Sequence, residues 1–437
     1  MKLITKIVEG AKDILPADSY KWQCVEDIMR KQAMSYGFKE IRTPVFEHTE
    51  LFERGVGDTT DVVQKEMYTF KTKGDKSITL KPEGTAGAAR AILENGVYND
   101  GYPIKAYYIT PCYRYERAQK GRQREFHQFG LEVYGAGSYF ADAEVICAAK
   151  SVFDRLGIKN ISLELNSIGC KNCRPNYHKA LKEYFSSHEE ELCDTCRSRL
   201  DKNPMRILDC KSPICSEIAK NAPVVLDYLC EECQEHFDGV KKCLDSADVT
   251  YTINPQIVRG LDYYTRTVFE FVSNNIGAQG TVCGGGRYDG LMEELGGQPT
   301  PSLGFGMGIE RLLMVLEENS IEIPKPPVCD LYVIGLGDNA KMKAFNIVQG
   351  VRNSSLIAET DIVGRNLKKQ MMYANKINAK FTMVIGDSEI ENNKAKLRNM
   401  STKEEKEISL DENFFSEFFA AYTENENQSL FNIINEM

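Results

Sequence analysis

Between residues 107 and 134 the chain twice alternates apolar with polar positions, which predicts two strands, 107–116 and 125–134, joined by a loop over 117–124. Successive side chains of a strand point to opposite faces, so Gln128, Gly130 and Glu132 fall on one side of the second strand and Leu131 and Val133 on the other. Gly130 is expected to leave open floor between the two polar groups. Residues 77–80 read as a further strand, leading through Lys81, Pro82, Glu83 and Gly84 into an alanine-rich helix that Thr85 is placed to cap. The period becomes helical at 177–185, where Ala180, Leu181, Tyr184 and Phe185 share a face, and returns to strand-like alternation at 251–255. Three prolines within residues 324–327 cannot continue a helix and suit a stiff linker. Beyond it, apolar runs at 331–334 and 381–385 read as buried strands and 341–352 and 365–375 as helices, implying a small α/β domain with a largely parallel sheet. The polar stretch 424–428 is expected to fray.

Length changes this picture by requiring more than one core: 437 residues call for two or three domains. Apolar residues at 42% and charged residues at 27% are ordinary for a soluble globular protein. No run approaches the roughly eighteen apolar residues of a membrane span, and residues 1–6 lack the apolar core of a signal peptide, so a cytoplasmic location is expected. A net charge of −9 argues against a protein that coats nucleic acid through broad phosphate neutralisation. A local cationic patch survives that argument: Arg114, Arg117, Lys120, Arg122 and Arg124 gather at the 117–124 loop.

Of 14 cysteines, eight stand in close pairs: Cys170 with Cys173, Cys193 with Cys196, Cys210 with Cys215 and Cys230 with Cys233. Two residues between thiolates let both reach one tetrahedral zinc ion, and four thiolates close a structural site, so eight could hold two ions. The other explanation is a set of reduced thiols packed as small hydrophobes. Spacing does not decide which pairs would combine.

The run from Arg259 to Glu270 places an arginine and two tyrosines, Tyr263 and Tyr264, on a glycine-hinged turn that enters an apolar strand. A fixed cation beside two phenols suits a small anionic ligand with an aromatic or amphipathic end; a simple ion pair of Arg259 with Asp262 is the competing account. Gly304, Gly306 and Gly308 do not make a dinucleotide fingerprint, since Ile309 and Arg311 occupy the third glycine position in either register, and no P-loop is present. These glycines are expected to let a helix lie close against the sheet, and 283–288 reads as a place where missing side chains make room for a ligand.

The Arg259 run closely resembles the histidine-binding signature of histidyl-tRNA synthetases, which are class II aminoacyl-tRNA synthetases. Residues 37–44 resemble that family's motif 1, 113–117 with 126–132 its motif 2, 304–311 its motif 3, and 285–290 a second histidyl signature. The resemblance implies an α/β protein: an α+β catalytic domain on an antiparallel sheet at 1–325, with a cysteine-rich helical insertion at about 166–250, and a C-terminal α/β anticodon-binding domain at 326–437. It implies activation of L-histidine by ATP with Mg²⁺, then transfer to tRNA(His), in a homodimer that motif 1 builds. Glu83, Gly84, Thr85, Gln128, Glu132, Arg259, Tyr263 and Tyr264 would hold histidine, Gln128 and Glu132 at its amino group and Glu83 and Tyr264 at its ring. Arg114, Glu116 and Arg311 would hold ATP, Arg259 and Arg114 would serve catalysis, and Gln119, Arg122 and Arg124 would meet the tRNA acceptor end. Structural Zn²⁺ remains possible and is not needed for the chemistry. A non-catalytic paralogue that regulates ATP phosphoribosyltransferase is the alternative; such relatives degrade the Arg259 or motif 2 residues and lack the anticodon-type domain.

Overall fold

The computed structural model describes residues 4–57, 60, 62–210, 212–273 and 280–436. It divides into two compact units, Met1–Pro324 and Lys325–Met437, and the proline-rich residues 321–329 between them form neither helix nor strand.

In the first unit the strands are β1 (Lys39–Glu40), β2 (Phe46–His48), β3 (Tyr68–Lys71), β4 (Ser77–Leu80), β5 (Ile104–Tyr113), β6 (Glu125–Tyr134), β7 (Ser162–Ser167), β8 (Thr252–Ile253), β9 (Thr265–Val272), β10 (Thr281–Arg287) and β11 (Ser302–Gly308). Eight of them make one sheet in the order β1-β5-β6-β11-β10-β9-β7-β8, while β2, β4 and β3 make a small one beside it. The five central strands, β5 through β9 in that order, pair antiparallel. The period-two rule sorts their side chains. Tyr107, Phe129, Leu131, Val133, Phe269, Phe271, Leu303, Phe305 and Met307 pack into one large core with the helices Pro16–Ser35, Tyr139–Arg155 and Ile309–Glu318. The opposite face carries Tyr108, Gln128, Glu132 and Glu270, with glycines between them.

Among the described residues four α-helices lie between β7 and β8: Arg174–Ser186, Asp194–Lys202, Pro213–Ala219 and Glu231–Ser246. The last inserts Phe237, Val240 and Leu244 into the large core, so it belongs structurally to the sheet it follows.

The second unit contains β12 (Leu331–Gly335), β13 (Ala358–Thr360), β14 (Phe381–Ile385), β15 (Lys394–Asn399) and β16 (Glu405–Ser409), in the order β13-β12-β14-β15-β16. The expectation of a largely parallel sheet is corrected here. β12 runs parallel to β13 and β14, but β14-β15 and β15-β16 are antiparallel: the single short helix Asp387–Asn392 returns the chain beside β14, and a tight turn at 400–404 closes the last hairpin. Residues 424–428, expected to fray, lie within the helix Phe414–Glu436.

Candidate active site

The site is built on the polar face of β5, β6, β11, β10 and β9. At its centre Glu132 is wholly buried and accepts hydrogen bonds from the hydroxyls of Thr85 at 2.7 Å and Tyr108 at 2.9 Å, and from that of Tyr288. Burial pushes its carboxyl up to about 8, and the hydroxyls of Tyr288, Thr85 and Tyr108 pull the other way. Tyr108 is a member that sequence reasoning passed over. Its ring lies where β-carbons of Gly84 and Gly130 would stand, so the open floor expected at Gly130 is filled by a phenol from the neighbouring strand. Gly130, facing Tyr108 across the hairpin of β5 and β6, was the available signal.

The glycines of β11 serve the same end. Side chains at Gly304 and Gly306 would strike the Glu132 carboxylate and the Gln128 amide, so their smallness admits those polar groups and does not admit a helix, as had been expected. Gln128 accepts a 3.0 Å hydrogen bond from the Gly84 amide.

Glu83 is buried at the corner between β4 and the helix Thr85–Glu94. Its carboxylate accepts the amides of Thr85 at 2.7 Å and Ala86 at 2.8 Å, so Glu83 caps this helix. The cap expected from Thr85 is corrected: its hydroxyl donates to the buried Glu132 carboxylate, a charge-assisted hydrogen bond, and the first amides of the helix are taken by Glu83. Burial raises the Glu83 carboxyl above its ordinary range, against the two amides that favour its ionised form.

Arg259 enters the same face. It forms an ion pair with Glu270 of β9, and its guanidinium lies 5.6 Å from the ring centroid of Tyr264, in space that a side chain at Gly284 would occupy. Its Nε is buried with no hydrogen-bond partner among the described residues. Among the described residues Arg259 pairs with Glu270 and Asp262 is held by Arg206 at 2.7 Å, in place of the competing pair of Arg259 with Asp262. Tyr263 and Tyr264 are buried with centroids 4.7 Å apart, and Tyr263 meets Tyr288 edge-on at 5.4 Å, which makes an aromatic wall beside Glu132.

A second cluster of cations lies beyond the ends of β5 and β6. Arg114 donates to the Pro82 carbonyl at 2.9 Å and faces Glu116 at 3.9 Å, while Arg122 approaches Glu116 at 2.9 Å. Arg311 donates only to carbonyls, of Gly121 at 2.9 Å and Thr281 at 2.5 Å, and has no carboxylate partner among the described residues. Burial and the neighbouring Arg122 lower its guanidinium. Three guanidiniums around one carboxylate leave positive charge to spare, and such a place suits a polyanion.

The loop 114–124 turns back through a bridge of Gln119 with Arg122. Of the residues expected at a tRNA end, Arg122 is engaged by Glu116, and Arg124 stacks over Tyr115 at 4.3 Å and reaches the Glu9 carbonyl at 3.4 Å. Gln119 stands at the bridge. The eight paired cysteines come together as two groups of four, Cys170, Cys173, Cys230 and Cys233 and then Cys193, Cys196, Cys210 and Cys215.

Residues 10–312 match the family model described as histidyl-tRNA synthetase, and residues 330–415 match that of an anticodon binding domain. The chain is 58% identical over 402 residues to a histidine–tRNA ligase of Clostridium novyi, covering 92% of this chain and 96% of that one. It is 56% identical over 410 residues to one of Caldanaerobacter subterraneus subsp. tengcongensis, covering 94% and 98%. Among solved structures, apo S. aureus histidyl-tRNA synthetase aligns at a TM-score of 0.80 and 41% identity over 93% of this chain and 98% of that one. An ATP phosphoribosyltransferase regulatory subunit/histidyl-tRNA synthetase from Bacillus halodurans shares the fold, at a TM-score of 0.63 and 21% identity over 88% and 99%. With a family match across most of its length and relatives above half identity, the chain belongs to the histidyl-tRNA synthetase family, with a class II catalytic domain and a C-terminal anticodon-binding domain.

Proposed function

We infer that this chain is a histidine–tRNA ligase whose amino-acid and nucleotide sites are the two halves of the polar face described above. It activates L-histidine with ATP, releasing pyrophosphate, and then passes the histidyl group to the end of tRNA(His). The observation that carries the assignment of residues is the buried Nε of Arg259, a charged donor with no hydrogen-bond partner among the described residues, beside a group of hydroxyls and carboxylates.

In this reading histidine lies between the aromatic wall and Glu132. Its ammonium meets Glu132 and the Gln128 amide oxygen and stabilises the ionised form that burial alone disfavours. Glu83 and Tyr264 take the imidazole. Each Glu83 oxygen already holds one backbone amide and keeps capacity for a second bond, so a side chain lacking the ring N–H would leave a buried acceptor short. Gly84 and Thr85 close the floor, and Tyr263 the wall.

Arg259 then spans the two substrates. The histidine carboxylate must approach the α-phosphorus of ATP against like charge, and a guanidinium fixed by Glu270 offers its free donors to both anions. Attack of the carboxylate oxygen breaks the bond to the pyrophosphate leaving group, and no enzyme nucleophile takes part. Positioning and charge stabilisation supply the acceleration. Arg114 takes the α-phosphate, and Arg311, unneutralised by any described carboxylate, the γ-phosphate. Glu116 and Glu270, hard oxygen donors among the arginines, would hold the Mg²⁺ that accompanies ATP, and the ion would supply further charge neutralisation. Gln119, Arg122 and Arg124 border the path of the tRNA acceptor end, and the second unit takes the anticodon.

A homodimer belongs to the same reading, formed around residues 37–44. The support is the edge position of β1 in the eight-stranded sheet together with exposed Val45 and Phe46 just beyond it. No helix among the described residues is long and apolar enough to cross a membrane, which is compatible with work in the cytoplasm. The regulatory-subunit alternative shares the fold; the unbroken Arg259 to Glu270 run and the anticodon-type unit favour the ligase.

Pyrophosphate exchange with purified protein, run across the twenty amino acids, tests the assignment. Exchange dependent on histidine alone is expected; exchange with no amino acid would favour the regulatory role.

A further inference from the structure

We propose that the segment between β7 and β8 holds two structural zinc ions, one on Cys170, Cys173, Cys230 and Cys233 and one on Cys193, Cys196, Cys210 and Cys215, and that they brace the loop carrying Arg259, Tyr263 and Tyr264. The bracing half rests on the reading of that loop as the histidine site; the metal half does not.

Geometry carries the first half. In each group the four sulfurs lie within 4.8 Å of one another. Measured separations are 3.7 Å for Cys170 to Cys173, 3.9 Å for Cys170 to Cys230 and 3.9 Å for Cys193 to Cys210. Four sulfurs each about 2.3 Å from a tetrahedral zinc stand about 3.8 Å apart, so these are the edges of a zinc tetrathiolate, while a disulfide would need about 2.05 Å. Pairs far apart in sequence have been brought together: 57 residues separate Cys173 from Cys230, whose amide donates to the Cys173 sulfur at 3.1 Å. The amides of Asn172 and Cys193 point in the same way at Cys170 and Cys215, at 3.3 and 3.2 Å. Amides aimed at sulfur suit thiolates and orient metal ligands. Each group has two buried and two half-buried members, and none of its ligands is an oxygen or nitrogen. Thiols packed only as small hydrophobes have no reason to converge four at a time with their sulfurs at this spacing, and soft sulfur selects zinc over magnesium or calcium.

Contacts carry the second half. Arg174, which directly follows Cys173, donates to the Tyr264 carbonyl. Glu232, inside the Cys230–Cys233 turn, pairs with Arg266, whose amide bonds the Gly169 carbonyl at 2.9 Å beside Cys170. From the other group, Arg206 lies between Cys196 and Cys210 and holds Asp262 at 2.7 Å, and Asn203 donates to the same carboxylate at 3.3 Å. Each cysteine group thus delivers side chains to the short stretch 262–266. Opening a knot frees its arginine, and the loop that positions Arg259 loses one of its anchors.

The test measures zinc and iron per chain in native full-length protein purified without added metal or chelator. Two zinc ions per chain are expected, with one each retained in Cys170→Ser and in Cys193→Ser. Should the variants fail to fold, the native protein titrated with a thiol-blocking mercurial to reaction of all 14 thiols should release two zinc ions per chain. No zinc, one zinc per chain, iron in its place, or full zinc in both variants would overturn the sites. For the bracing, loss of either ion should raise the KM for histidine about tenfold while the KM for ATP changes far less. Zinc-depleted protein with an unchanged histidine KM would overturn that half. Failure of the ligase reading would look different: zinc-loaded native protein with no histidine-dependent exchange at all.

Discussion

The central sheets of the two units solve opposite problems. β12 is buried along its whole length, sending Leu331 and Val333 into one core and Tyr332 and Ile334 into another. β6 sends Phe129, Leu131 and Val133 into the core, while its other face carries Gln128 and the buried Glu132, which lies under a cover of hydroxyls. A strand packed on both sides reads as an unbroken apolar run and has no face left for a ligand, so loops and edges are what the second unit has to offer a partner. A strand with one apolar face can keep polar groups buried on the other, at a cost in stability that is tolerated where those groups do chemistry.

The comparison can be broken most severely at the buried charges of the first sheet. Arg287, at the end of β10, is 1% exposed and pairs with Asp142 at 2.5 Å and with Asp289 at 3.0 Å. Arg287→Met would leave the Asp142 carboxylate buried with His236 as its remaining partner, and should cost about 3–5 kcal/mol in denaturant unfolding of the first unit. In the second unit the equivalent damage is a cavity. Leu331→Ala should cost about 2–5 kcal/mol in the unfolding of that unit. Pyrophosphate exchange, a property of the first unit, should not change; a parallel loss of exchange would mean that the two sheets are not independent in this way.

Smaller effects sharpen the account of Glu132. Tyr108→Phe removes a hydroxyl donated to a buried carboxylate, worth about 1.5–3 kcal/mol, and should lower kcat/KM for histidine at least about tenfold with little change for ATP. The pH dependence has a definite sign. A carboxyl held at about 8 in the folded protein, above its unfolded value of about 4.3, stabilises the ligand-free protein most at low pH and loses that contribution as pH climbs through about 8. The melting temperature of ligand-free protein should therefore fall between about pH 6 and pH 9 more than that of Glu132→Gln, and saturating histidine should remove the difference.

Sequence made the alternation of residues 125–134 plain, so Gln128 and Glu132 could be placed on one face before any coordinates. Local rules failed where a distant partner outbid them. Thr85 has the chemistry of a helix cap, yet it serves Glu132, 47 residues away, and leaves the cap to Glu83. Gly304 and Gly306 show only that small residues are needed; that β11 lies beside β6, and so that Glu132 and Gln128 fill the space, is a fact of strand pairing. Arg259 was marked as a fixed cation, but Glu270, the group that fixes it, stands eleven positions on and comes near only when β9 joins the sheet. The cysteine pairs were visible, and their grouping depended on how the helices between them fold back.

The central claim is that a guanidinium held by Glu270 joins the two anionic substrates. The most direct test is histidine-dependent pyrophosphate exchange by Arg259→Gln with its folding checked by circular dichroism. A rate lower by about 10²–10³, in protein that stays folded, is expected; a rate near that of the native protein would contradict the account.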